Sequence, residues 1–139
     1  MKGIDALIKI RVYELDQKRR ALRQIEEVQA RIERDIAALK DEIATEQNAA
    51  RHSDEGSYTY GGYARRAISR RAELHRTLGE VGKQVDAARD DVARTFEGLK
   101  KFEITKAARD DAEHAEVNRR ERMALDELGL NAYTRNKTK

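Results

Sequence analysis

The three histidines are the first residues to test for metal binding or catalysis, and they stand far apart, at His52, His75 and His114, in a chain with no cysteine. A zinc site on a helix needs ligands at close helical spacing, as in HExxH, or a CxxC pair, and neither occurs. Gly79-Glu80-Val81-Gly82-Lys83-Gln84 resembles a phosphate-binding loop in miniature. It is too short for GxxxxGKS/T, and Gln84 stands where Ser or Thr must hold magnesium. The adjacent carboxylates Asp90-Asp91 and Asp110-Asp111 would point about 100° apart on a helix. Two helices alone also build no concave pocket in which a carboxylate pKa would rise. The sequence therefore predicts no catalytic residue, no cofactor and no metal, and the protein is expected not to be an enzyme.

Two clusters suit binding instead. Arg65, Arg66, Arg70, Arg71 and Arg76 stand against a single Glu73. Such a patch is a solvated helix face, a site for an acidic protein, or a site for nucleic acid. Tyr58, Tyr60 and Tyr63 lie just before it, and tyrosine offers a large rigid face with a polar end, suited to partner contact or to packing at a turn.

The elements that position these residues follow from composition and period. Of 139 residues, Ala, Glu, Lys, Leu and Arg supply 74, above the roughly one-half that marks long helices or coiled coils. Large apolar side chains are too few for a layered core and sufficient for narrow seams, so β-sandwich, Rossmann and disulfide-scaffold folds are excluded. Ile4, Ile8, Leu15, Leu22, Ile25, Ile32, Ile36, Leu39 and Ile43 recur in steps that fit an a/d heptad frame, which also passes through Arg11, Lys18 and Gln29. Asp5 with Lys9, Glu14 with Lys18, Asp16 with Arg20 and Glu27 with Arg31 have the acid-before-base spacing that supports a solvated helix. A second seam runs through Leu74, Leu78, Val81, Val85, Ala88, Val92, Thr95, Leu99 and Phe102. Gly79 and Gly82, within it, suit close helix approach or a local bend.

Composition changes between Arg51 and Tyr63, where Gly56, Gly61, Gly62 and the three tyrosines gather. This predicts a turn at about 51–62, with Ser53 or Ser57 as N-cap. Helix 1 is expected over about 4–50, helix 2 over about 63–128, and a flexible basic tail over 129–139. The fold class is all-α: a long antiparallel two-helix coiled coil, a single helical hairpin whose C-terminal helix overhangs. Two registers fit. A turn at Ser53 makes opposed residue numbers total about 106–107, pairing Arg11 with Thr95, Lys18 with Ala88 and Ile43 with Tyr63. One heptad later, Leu39 meets Leu74 and Leu22 meets Val92.

In either register helix 2 outlasts helix 1. Residues 108–123 are strongly helical and nearly seamless, and Leu125, Leu128 and Leu130 then return. The overhang is expected to project 20–30 Å, at about 1.5 Å per residue, either as an apolar tip that needs a partner or as a frayed end. Asp5 interrupts any early apolar run, and no stretch approaches the ~18–20 residues of a membrane span, so a cytoplasmic protein is expected. The net charge of +3 is interleaved along the chain, which does not point to nucleic acid.

Leu7-Ile8-Lys9-Ile10-Arg11 followed by Glu14, and the closing Arg122-Met123-Ala124-Leu125-Asp126-Glu127-Leu128, resemble the N- and C-terminal patterns of the FliJ family of flagellar type III export proteins, related to the stalk proteins of virulence-type secretion. The chain departs from the family's aromatic-then-large-aliphatic pattern after the turn, where it has Tyr63-Ala64-Arg65-Arg66-Ala67-Ile68. The resemblance implies a non-enzymatic stalk that regulates and assembles the export ATPase hexamer, links it to the membrane export gate, and handles export chaperones. It would be peripheral to the inner face of the cell membrane and have no transmembrane segment. It further implies ATPase-side contacts at Arg122, Leu125, Asp126, Glu127 and Leu128, and gate-side contacts at Tyr58, Tyr60, Tyr63 and Ile68. The competing class is a generic structural or nucleic-acid-associated coiled coil. The first would need no apolar overhang, and the second would concentrate its cations.

Overall fold

The computed structural model describes residues 2–137, with Lys2 by its backbone alone. Two helices account for nearly all of them: α1, Lys2–Arg51, and α2, Asp54–Lys137. They pack antiparallel as a helical hairpin, and α2 runs on past the start of α1.

The reversal is shorter than the sequence suggests. Among the described residues only His52 and Ser53 lie outside a helix, and residues 54–62, expected in the turn, form the first turns of α2. Ser53 is the N-cap: its Oγ accepts the Gly56 N–H at 3.2 Å, and its carbonyl accepts the Ser57 N–H at 3.0 Å. His52 closes α1, with its N–H on the Ala49 carbonyl at 3.2 Å and its Nδ1 2.8 Å from the Asn48 carbonyl oxygen. A β-carbon on Gly56 would lie 3.3 Å from the Ala49 carbonyl oxygen, so a residue without one lets the chains reverse this closely. Gly61 and Gly62 do not delay the helix, because their cost of about 1 kcal/mol each is small beside what the seam gains by packing. At the other end α2 stays helical through Lys137, where a flexible tail from 129 was expected. The chain has no proline to stop it, and Arg135 and Lys137 suit the negative end of the helix dipole. Thr138 and Lys139 lie outside the described residues.

By contact the chain divides into two units: Tyr13–Phe96, and Met1–Val12 with Glu97–Lys139. In the first, Ile32, Val81 and Val85 are buried together, with Leu22, Ile25, Ile36, Leu74 and Leu78 packed around them. Each large apolar side chain fully buried this way contributes about 1.5–3 kcal/mol. Leu15, Leu39 and Ala67 are also buried here. Ala67 lies one heptad before Leu74, so the seam on α2 starts earlier than the larger residues indicate. Among the described residues no polar or charged residue is buried. A β-carbon on Gly82 would meet only the Gln29 side-chain amide, at 4.0 Å, and one on Gly79 would stand in open space, so neither glycine marks a close helix approach.

In the second unit Ile4 and Leu99 are buried, the Arg11 guanidinium lies 5.5 Å from the Phe102 ring centroid, and Lys106 Nζ meets Asp5 Oδ1 at 2.6 Å. Cross-helix pairs bear on the register. Facing residue numbers total 109 for Lys18 with Asp91, 113 for Arg11 with Phe102 and 115 for Glu26 with Arg89. Arg11 over Phe102 in the one unit and Glu26 with Arg89 in the other fit the later register, while Lys18 with Asp91 falls between the two.

Candidate functional site

His52 caps the end of α1, and Asp91 is paired with Lys18 and Arg94. No group of three metal-capable side chains comes together among the described residues, and no described helix is long and apolar enough to cross a membrane. Two surfaces carry the sequence-predicted binding residues.

The first surface is the overhang, residues 107–137 of α2. Lys106 is the last residue of α2 shown paired to α1, and beyond it every residue is exposed except Glu116, which is half-exposed. Glu116 is held by two arginines on its own helix: Arg119 bonds both carboxylate oxygens, at 2.8 and 3.1 Å, and Arg120 Nε bonds one at 3.2 Å. Those bonds, the Arg119 pair first, hold the Glu116 carboxyl below the ordinary range. Arg119 Nη1 also lies 3.2 Å from the Met123 sulfur. An open, shallow groove of about 630 Å³ borders this network at Met123, Ala124, Asp126 and Glu127.

Of the predicted ATPase-side residues, Leu125 and Leu128 are 69% and 63% exposed. Three residues apart on a helix, they are neighbours, as are Arg122 with Leu125 and Arg122 with Asp126. Asp126 and Glu127 both border the Met123 groove, on another side of α2 from Leu125 and Leu128, so the five residues do not form one patch.

The second surface is near the reversal. Tyr60 and Tyr63 stand one turn apart with ring centroids at 6.1 Å, and with Ile68 they border a cleft of about 210 Å³ that also touches Ile43 and Ala67. The Tyr63 hydroxyl is covered, and its pKa is raised, by desolvation first and then by Glu42 and Glu46 across the hairpin. Tyr58 does not join them. Two residues before Tyr60 it points to the far side of α2 and is 91% exposed. The five arginines that follow are all exposed, and no ion pair reaches them among the described residues.

Sequence reasoning missed Lys106 as the partner of Asp5, which was assigned to Lys9, and missed Lys18 with Asp91. Both cross-helix pairs depend on a register that periodicity leaves open.

An antiparallel pair of long helices with narrow apolar seams defines the class: an all-α helical hairpin. The family described as Flagellar FliJ protein matches residues 1–138, essentially the whole chain, and the chain belongs to that family. No curated protein and no solved structure gives a significant match. Family membership gives the chain a role connected with flagellar export, in a family of structural and export components.

Proposed function

We propose that the chain is a non-enzymatic coupling stalk of the flagellar type III export apparatus. Its overhang, through Arg122, Leu125, Asp126, Glu127 and Leu128, seats on the hexamer of the export ATPase and promotes its assembly. The reversal end, through Tyr58, Tyr60, Tyr63 and Ile68, engages the membrane export gate, and the same stalk receives export chaperones. It works in the cytoplasm at the inner face of the membrane, held there by its partners. Coupling is by differential binding, with nucleotide chemistry left to the ATPase.

The observation that carries this reading is the overhang: a helix continued for thirty-one residues past its last observed partner contact, polar over most of its surface, with Leu125 and Leu128 side by side and uncovered. A hairpin that served only as a spacer would need neither. Mass photometry of the export ATPase from the same organism, with nucleotide, tests the proposal. A hexamer heavier by one 15.9 kDa chain is the expected result. An unchanged ATPase distribution with no co-migrating chain would contradict it.

A further inference from the structure

One face of the overhang is complementary to itself. Ile104, Ala108, Asp111, Ala115, Asn118, Arg122, Leu125 and Gly129 follow one another in alternating steps of four and three, which is an a/d seam on α2 separate from the one that meets α1. Ile104 lies two residues after Phe102 and two before Lys106, the residues that contact α1, hence about 200° from each around the helix. It faces away from α1 and is 67% exposed. The rest of the seam is exposed too. Asp111, His114, Glu121 and Arg122 make no ion pair among the described residues.

Laid antiparallel on a second copy, with facing residue numbers totalling 233, this seam matches large to small and acid to base. Ile104 meets Gly129, Leu125 meets Ala108, Ala115 meets Asn118, and Asp111 meets Arg122. Each contact occurs twice by symmetry, as an isologous interface requires. The flanking positions agree: His114 falls beside Glu121 of the other copy, Ala107 beside Leu128, and no like charges are brought together at these positions. A seam patterned only for solvent has no reason to satisfy both charge and size at a single register.

We infer that two copies of the chain associate through this face as an antiparallel two-helix coiled coil over residues 104–129, about 38 Å long at about 1.5 Å per residue. The interface is narrow and rich in alanine, so the dimer forms by mass action at elevated concentration. It covers Arg122 and Leu125. Self-association and the ATPase contact proposed above are then mutually exclusive, although the dimer itself does not rest on that assignment.

Charge reversal in the full-length chain tests the inference with no ATPase present. Sedimentation velocity from about 1 to 200 µM should show a concentration-dependent species of twice 15.9 kDa. Asp111→Arg and Arg122→Asp should each weaken association roughly tenfold or more, since both place like charges face to face twice. Mixing the two variants in equal amounts should restore it, as should combining both changes in one chain. Far-ultraviolet circular dichroism unchanged from the parent secures that the variants fold. A chain that stays monomeric over the whole range would overturn the inference, including one that still binds the ATPase through this helix. So would a dimer that neither reversal weakens, or one that the mixture fails to restore.

Discussion

The hairpin unit Tyr13–Phe96 and the overhang 107–137 are built from the same residue types and are equally helical, yet one buries a seam and the other exposes one. The difference lies in spacing and side-chain size. In the hairpin Leu22, Ile25, Ile32, Ile36, Leu74, Leu78, Val81 and Val85 fall on facing stripes, and the burial of Ile32, Val81 and Val85 holds both helices in place. In the overhang the large apolar residues are sparse, and Leu125, Leu128 and Leu130 are each more than 60% exposed. Helix propensity alone makes a helix; only a partner on the apolar stripe makes it stable. The hairpin supplies its own partner, and the overhang runs on past it.

Substitutions should break that contrast in order of burial. Ile32→Ala is expected to destabilise the hairpin by about 2–4 kcal/mol, read as a lowered midpoint in urea unfolding, because a buried seam residue leaves a cavity. A loss below about 0.5 kcal/mol would mean that the cluster around Val85 is not the anchor. At the reversal, Ser53→Ala should cost about 1 kcal/mol through loss of the Gly56 cap. Gly61→Ala and Gly79→Ala should each stabilise by about 1 kcal/mol, since open space surrounds both positions and alanine is the better helix former. Thermal melts of these three variants would rank them; a destabilising Gly79→Ala would reveal a close contact there.

A smaller effect comes from the link between Asp5 and Lys106. The hydrogen bond from Lys106 holds the Asp5 carboxyl below its ordinary range, and the same bond raises the Lys106 ammonium. A depressed acid stabilises the folded state at pH values above its unfolded pKa, and that contribution is lost as pH falls through the folded value; the raised lysine loses its contribution only in strong base. The start of α1 should therefore loosen below the ordinary aspartate pKa. Amide exchange of residues 3–12 measured by NMR at acid and neutral pH would show it. Equal protection at both would mean that Ile4, not the ion pair, holds the end. Smallest of all, Leu125→Ser with Leu128→Ser should change stability by less than about 0.5 kcal/mol, being exposed, while abolishing ATPase binding.

Most of the hairpin was legible in the sequence because burial follows the heptad. Among the described residues, seven of the eight buried ones lie on the two seams read from spacing; the eighth, Ala67, was hidden by its small size. Register was not legible, since two alignments one heptad apart bury nearly the same side chains, and cross-helix pairs such as Arg11 with Phe102 and Glu26 with Arg89, which spacing alone does not reveal, favour the later one. The extent of the reversal was not legible, because gathered glycines suit a long loop as well as a tight one, and the Ser53 cap with the fit of Gly56 against Ala49 selects the tight one. At the surfaces, exposure of Leu125 and Leu128 followed from their isolation in a polar stretch. The grouping of Tyr60 with Tyr63 and the separation of Tyr58 required knowing that the helix already runs through all three.

Hydrogen exchange by mass spectrometry on the chain with and without the export ATPase, at a concentration where the chain alone is monomeric, tests the division between the two regions most directly. The account predicts that residues 107–137 exchange fast in the free chain and become protected in the complex, while residues 13–96 keep the protection that their own seam confers. Protection gained within 13–96 with 107–137 unchanged would contradict it.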